Sequence, residues 1–210
     1  MMSLKEYAKL DQACLADYLP WALLIGPGVV EHKDGALQKT FGFRGHDLDS
    51  ATPRDLMATS ALFNNAIRRL GDGWTIFVEA QRNAINDYPK SSWPNQAAQA
   101  IDEERKISFN RAGQYFKNDY FLTLVFKQPE KISRRGAGWF LNKAPAQQSE
   151  NDNLEIFQKA IQETTGLLSG LLPLFRELDD DETLSYLHST ISSKRHKITT
   201  PDIPMYLDHI

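Results

Sequence analysis

VVEHKDGALQKTFGFRGHDLD, residues Val29 to Asp49, sets the architecture of the chain. Val29 to His32 and Ala36 to Phe43 are strand-like runs separated by Lys33-Asp34-Gly35. An Asp-Gly pair is a strong short-range hairpin signal because both residues tolerate positive φ. The stretch therefore predicts a β-hairpin with a sharp exit into a helix, and the chain beyond it alternates helix and strand.

Downstream, Thr52-Pro53-Arg54-Asp55 offers a cap, a proline at the first helical position and an acid in the first turn, and Leu56, Ser60, Phe63, Ile67 and Leu70 follow at helical spacing. Gly71-Asp72-Gly73 should stop that helix. Trp74 to Ala80 has the period of a strand, with Trp74, Ile76, Val78 and Ala80 on one face. A loop with Tyr88-Pro89 and Trp93-Pro94 leads to a helix expected over Asn95 to Phe116, with Ala98, Ile101, Phe109, Ala112 and Phe116 inward. Tyr120 to Phe126 is apolar on both faces, as a central strand covered on two sides would be.

From Leu154 the spacing alternates between three and four through Phe157, Ile161, Thr164, Leu168, Leu171, Phe175 and Leu178. This is a heptad-like stripe, read as intramolecular packing before an oligomer seam. Pro173 should kink or end it. Asp179-Asp180-Asp181 should break and cap, with Leu184, Leu187 and Ile191 continuing in a second helix. The predicted class is α+β: a β-hairpin-α-β-α-β sheet with helices on one face in ferredoxin-like layering, then a C-terminal αα-hairpin. The expected divisions are a sheet domain over 1–127, an exposed loop over 128–150, a helical hairpin over 151–196, and the start of a further element over 197–210, as if the chain were a piece of something longer.

Upstream, Leu4 to Leu19 has helical spacing and ends before Pro20. Leu19 to Val30 is apolar but holds two prolines and two glycines and is well short of the roughly 20 residues that span a bilayer. The N-terminus lacks the apolar core of an export signal. A length of 210 residues with 41% hydrophobic and 24% charged content is that of a globular chain with a real core, and a net charge of −3 gives no general reason to bind polyanions. A lone cysteine, Cys14, makes no intramolecular disulfide, which suits a reducing compartment, the cytoplasm by default.

Motifs that would carry chemistry are mostly excluded. No Walker-type phosphate loop is present. Gly26-Pro27-Gly28 carries two glycines of a dinucleotide fingerprint, but Glu31 stands in place of the third, so a proline turn is the better reading. His32, His46, His188, His196 and His209 show no paired ligand spacing, and no metal site is expected. His46 with Asp47 and Asp49 could hold a cation or shuttle protons, but short acids between a strand and a capped helix usually satisfy turn amides. Phe41 and Phe43 resemble a fragment of an RNA-stacking strand without the rest of that motif. Basic groups at Arg68 and Arg69, at Lys131, Arg134 and Arg135, and at Lys194, Arg195 and Lys197 read first as solvated faces. On the residues alone, a small enzyme and a nucleic-acid module stay as rivals to an interaction domain.

Particular residues go further than their classes. Asp34-Gly35, Phe43-Arg44-Gly45, Asp47-Leu48, Ser50-Ala51-Thr52, Asn64-Asn65, Arg68-Arg69-Leu70 and Gly73-Trp74 stand in order, followed by Glu79-Ala80, Arg82, Tyr88-Pro89, Trp93-Pro94, Asp102 to Arg105, Tyr120 to Thr123, Asp180 to His188 and Pro204 to Asp208. Together they closely resemble the N-terminal region of the conjugal-transfer (TrbE-like) ATPases of bacterial type IV secretion systems. His46 departs from the family pattern, where proline is expected. The resemblance implies a longer protein whose motor domain, carrying the Walker motifs, ATP and Mg, lies outside these residues, so no catalytic or cofactor-binding residue carries over. It also implies a docking domain at the cytoplasmic face of the inner membrane, with other secretion subunits, inner-membrane components, the protein's own motor domain and further copies as partners. The candidate contacts are Trp21, Leu23, Leu24 and Ile25, the loop aromatics Tyr88 and Trp93, and Arg134, Arg135, Trp139 and Phe140.

Overall fold

The computed structural model describes residues 14–47, 49, 51–85, 88–110, 115–128 and 146–209. The hairpin forms where the sequence places it, between β2 (Val29–His32) and β3 (Leu37–Arg44). Only Gly35 in its loop takes positive φ, +78°. Asp34 serves instead as an acceptor, its carboxylate taking the Ala36 amide at 3.1 Å. Gly26-Pro27-Gly28 is a turn as read, and it joins β2 to a strand the sequence did not announce, β1 (Trp21–Gly26). Before β1 a single turn, α1 (Leu15–Tyr18), ends short of Pro20. The rest of the helix expected from Leu4 lies outside the described residues.

The sheet is antiparallel throughout. Its order is β1-β2-β3-β5-β4, with β4 spanning Trp74–Ala84 and β5 Phe116–Phe126. A sixth strand, β6 (Leu174–Glu177), shares the β2 edge of β3: Val29 to Glu31 pair with Leu37 to Lys39, and Glu177 to Leu174 pair with Phe41 to Arg44. The two strands meet end to end along β3. At the joint, the side chain of Lys39 is buried and bonds the Pro27 carbonyl at 2.5 Å and the Glu177 carboxylate at 2.9 Å. Gly28, with φ +60°, lies so close to the Leu178 carbonyl that no Cβ would fit.

The α+β class stands, but the layering differs from a sheet with helices on one face. One face carries Leu37, Phe41, Leu122, Leu124 and Phe126 under α2 (Pro53–Arg68) and α4 (Ala146–Ser169), which contribute Ala66, Phe157, Ile161 and Leu168. The other face carries Val30 and Phe121 beneath Leu184, Tyr186 and Leu187 of α5 (Asp180–Ile191), with Leu19, Trp21, Leu178 and Leu207. The helical hairpin is also interrupted. Helix α4 ends at Ser169 and Phe175 enters β6, so α4 and α5 lie on opposite faces with a strand between them. The stripe Phe157, Ile161, Thr164 and Leu168 is buried within the chain, which makes it core and not an oligomer seam.

Local capping follows the sequence. Thr52 accepts the Asp55 amide, Asp55 returns the bond, and Pro53 opens α2. Asp179 and Glu182 form the same reciprocal box at α5. Helix α3 (Gln96–Phe109) is shorter than expected, and Phe116 belongs to β5. It buries none of its residues: Ile101, expected inward, is 55% exposed.

Candidate docking site

Strand β5 pairs with β3 only as far as Tyr120, opposite Phe43, whereas β4 and β5 stay paired to Ala84 and Phe116. The last four rungs of this ladder stand clear of β3 and form a two-stranded arm, with α3 inserted at its end. Arg82 lies over the Phe116 ring at 4.0 Å, which holds the arm's outer face.

The arm has its own small scaffold. The Tyr88 hydroxyl donates to Asp102 Oδ1 at 2.7 Å, the Tyr88 ring meets Phe109 edge-on, and Phe109 stacks on Tyr115 at 4.6 Å between centroids. The Tyr88 hydroxyl, and after it the side chain of Trp93, hold the Asp102 carboxyl below its usual value. The same bond raises the Tyr88 hydroxyl above its own. Asp102 thus ties loop 88–94 to α3 from two aromatic residues. Tyr88 is an internal strut, while Trp93 is half-exposed, as is Ile101, and Ile107 is 68% exposed. Sequence spacing put Ile101 on a core face and missed Ile107. The absence of any facing element among the described residues, which periodicity does not report, leaves both in solvent.

The other candidate contacts divide. Trp21 and Leu24 are buried under α5 and the Leu207 turn, so neither is open to a partner; Leu23 and Ile25 are half-buried, Leu23 bridging to Met205. Arg134, Arg135, Trp139 and Phe140 lie outside the described residues.

The rival sites are occupied by local structure. His46 Nε2 hydrogen-bonds the Leu171 carbonyl at 2.7 Å, and Asp47 accepts the Asp49 amide at 3.1 Å, the turn role expected of a short acid. Phe41 is fully buried and stacked on Phe175 at 4.8 Å, so no base can reach it. Of the basic residues, Lys197 pairs with Asp181 and Arg195 donates to Gln81. Among the described residues, no group of three or more His, Cys, Asp or Glu side chains could hold a metal ion, and no helix is long and apolar enough to cross a membrane.

A buried polar chain crosses the second face of the sheet. Thr40 bonds Thr123 at 3.0 Å, Thr123 donates to the Tyr186 hydroxyl at 3.3 Å, and Tyr186 donates to Glu79 at 3.0 Å. Burial pushes the Tyr186 hydroxyl up to about 12. Next to this chain, a groove of about 640 Å³ opens between Trp21, Phe77, Val125, Tyr186 and Leu187.

An α+β sheet domain with this projecting arm falls among type IV secretion components: residues 28–134 match the family described as type IV secretion system ATPase VirB4/TrbE, N-terminal domain. The chain belongs to this family. It is 31% identical, over 99% of its length, to the conjugal transfer protein TrbE of Rhizobium radiobacter, and spans 27% of that protein's length. A Sinorhizobium fredii chain described as the first piece of a probable conjugal transfer protein TrbE is 36% identical over 62% of the chain and 89% of its own length. The type IV secretion system protein virB4 of Brucella suis is 24% identical over 59% of the chain and 15% of its own length.

Proposed function

We propose that these residues form the docking and assembly domain of a conjugative type IV secretion ATPase, held at the cytoplasmic face of the inner membrane by contacts with membrane subunits of the machine. Hydrolysis of ATP, with its Mg ion, belongs to a motor domain outside these residues. The observation that carries the reading is α3: a helix on a projecting arm, with Trp93, Ile101 and Ile107 exposed and none of its own residues buried. Exposed apolar residues gathered on one projection are what a partner surface requires. Family membership supports a partner among the subunits of a type IV secretion system.

The test is co-purification of the secretion subunits with the full protein carrying Ile101→Asp and Ile107→Asp. Capture of one or more inner-membrane subunits should fall at least about tenfold, with the unfolding transition unchanged because neither residue packs on the core. Undiminished capture would remove α3 as the docking element. Mg-ATP should leave the unfolding midpoint of the 210-residue chain in place, since only a ligand of the native state raises it; a saturable rise would return nucleotide binding to this domain.

A further inference from the structure

The two edges of the sheet are treated differently. At the β1 edge the pairing with β2 is broken by irregularities between Trp21 and Leu23 and between Leu24 and Gly26, and the outer side is covered where Leu24 donates to the Pro204 carbonyl at 3.0 Å and Leu23 bridges to Met205. Those are the devices by which sheets avoid edge-to-edge association. The β4 edge has none of them. Its register with β5 runs unbroken through eleven pairs, it contains no proline and no lysine, and no described strand lies beyond it. At its middle Phe77 is 55% and Val78 64% exposed, so an apolar group stands open on each face of one edge strand.

We propose that β4 is a self-association edge and that its occupant is β4 of a second copy, paired antiparallel about Phe77 to continue the sheet across a two-fold axis. An axis perpendicular to the sheet keeps each face on its own side, so only residues of equal parity oppose each other. That leaves few registers. Centring on Glu79 sets two carboxylates together, centring on Val78 sets Phe77 against Glu79, and centring on Ala80 sets Val78 against Arg82. Centring on Phe77 places Phe77 against its own copy and Val78 against Ile76, opposes Glu79 to Thr75, and carries Arg82 toward Asp72. It alone among these joins both exposed apolar residues to apolar partners and a cation to an anion. The paired Phe77 rings fall at the mouth of the groove they already help to line. Self-association at this edge is independent of the docking role assigned to α3.

Directly opposed residues of an antiparallel pair have Cα atoms about 4.5–5.5 Å apart, within reach of a disulfide. In a Cys14→Ser background, which removes the native thiol, Phe77→Cys should form a disulfide-linked dimer under mild oxidation, while Met57→Cys, 73% exposed on α2, should not. The unmodified chain should shift from monomer toward dimer in sedimentation as its concentration is raised to about 100 µM, as expected of a weak interface in the small size class, and Phe77→Lys should weaken association at least about tenfold. Cross-linking at position 77 no faster than at position 57 would overturn the proposal. So would a wild-type chain that stays monomeric across that range, including one whose β4 captures a strand of a different protein. Should Phe77→Lys fail to fold, Val78→Lys and the cross-link decide the matter.

Discussion

Lys39 and Glu177 form an ion pair at 2.9 Å across the joint where β2 and β6 meet on β3, the lysine side chain 5% exposed and the glutamate 47%. The asymmetry of exposure sets the outcome of mutation. Glu177→Ala strands a buried ammonium on the Pro27 carbonyl and should cost about 2–3 kcal/mol, because an unpaired buried charge loses its compensation. Lys39→Met frees a carboxylate that water can reach and should cost less, about 1 kcal/mol. Chemical denaturation of both variants at neutral pH checks the order as well as the sizes.

Gly28→Ala and Gly35→Ala separate conformational strain from collision. Both positions have positive φ, +60° and +78°, but nothing lies near a Cβ at Gly35, whereas one at Gly28 meets the Leu178 carbonyl. Gly35→Ala should cost about 1 kcal/mol from backbone strain alone. The Gly28 change should cost at least about 2 kcal/mol, since β6 must retreat from β3 to admit it. Equal losses in urea unfolding would count against a close joint.

Tyr186→Phe removes the middle of the chain from Thr123 to Glu79. Thr123 keeps Thr40 and Glu79 keeps Gln81, so the expected loss is about 1–2 kcal/mol, that of hydrogen bonds removed without orphaning their partners. The unfolding free energy measures it directly.

Stability should respond to pH at both ends. Glu182 is held below its usual value first by the Arg176 guanidinium, at 2.6 and 2.8 Å, and Asp34 first by Lys127. Asp181 is lowered first by the Thr200 amide. A carboxylate depressed in the fold stabilises above its unfolded value and loses that contribution as pH falls through the folded one. The unfolding midpoint should therefore hold through neutral pH and drop below roughly pH 4. Asp181→Asn should flatten part of that fall. Tyr186 acts in the opposite sense: its proton is held up to about 12, so its contribution is intact below the unfolded value of about 10 and is lost as pH rises toward the folded one.

What was legible in the sequence was what local chemistry dictates. The Asp34-Gly35 turn, the caps at Thr52 and Asp179, and the buried stripe of α4 are each fixed by residues within a turn or two of one another. Strand β6 was not legible, because its four residues continue the spacing of the α4 stripe and its partner Phe41 is distant in sequence. Strand β1 was read only as an apolar run, since neither alternation nor length marked it. Helix α3 shows the converse failure: Ala98 and Ile101 have core spacing, but no described element faces them. Of the candidate site, the Tyr-Pro and Trp-Pro pairs marked Tyr88 and Trp93 as loop aromatics. Their division into strut and exposed group depended on Asp102, which the sequence showed only as one acid in a charged helix.

The end-to-end meeting of β2 and β6 also bears on timing. The second half of the β3 edge is completed by residues roughly 130 positions downstream, so a nascent chain carries an open strand from the emergence of Arg44 until Leu174 follows. Long-range pairing of this kind makes folding slow. The interval before Leu174 emerges is when the chain is most exposed to wrong partners and to chaperones.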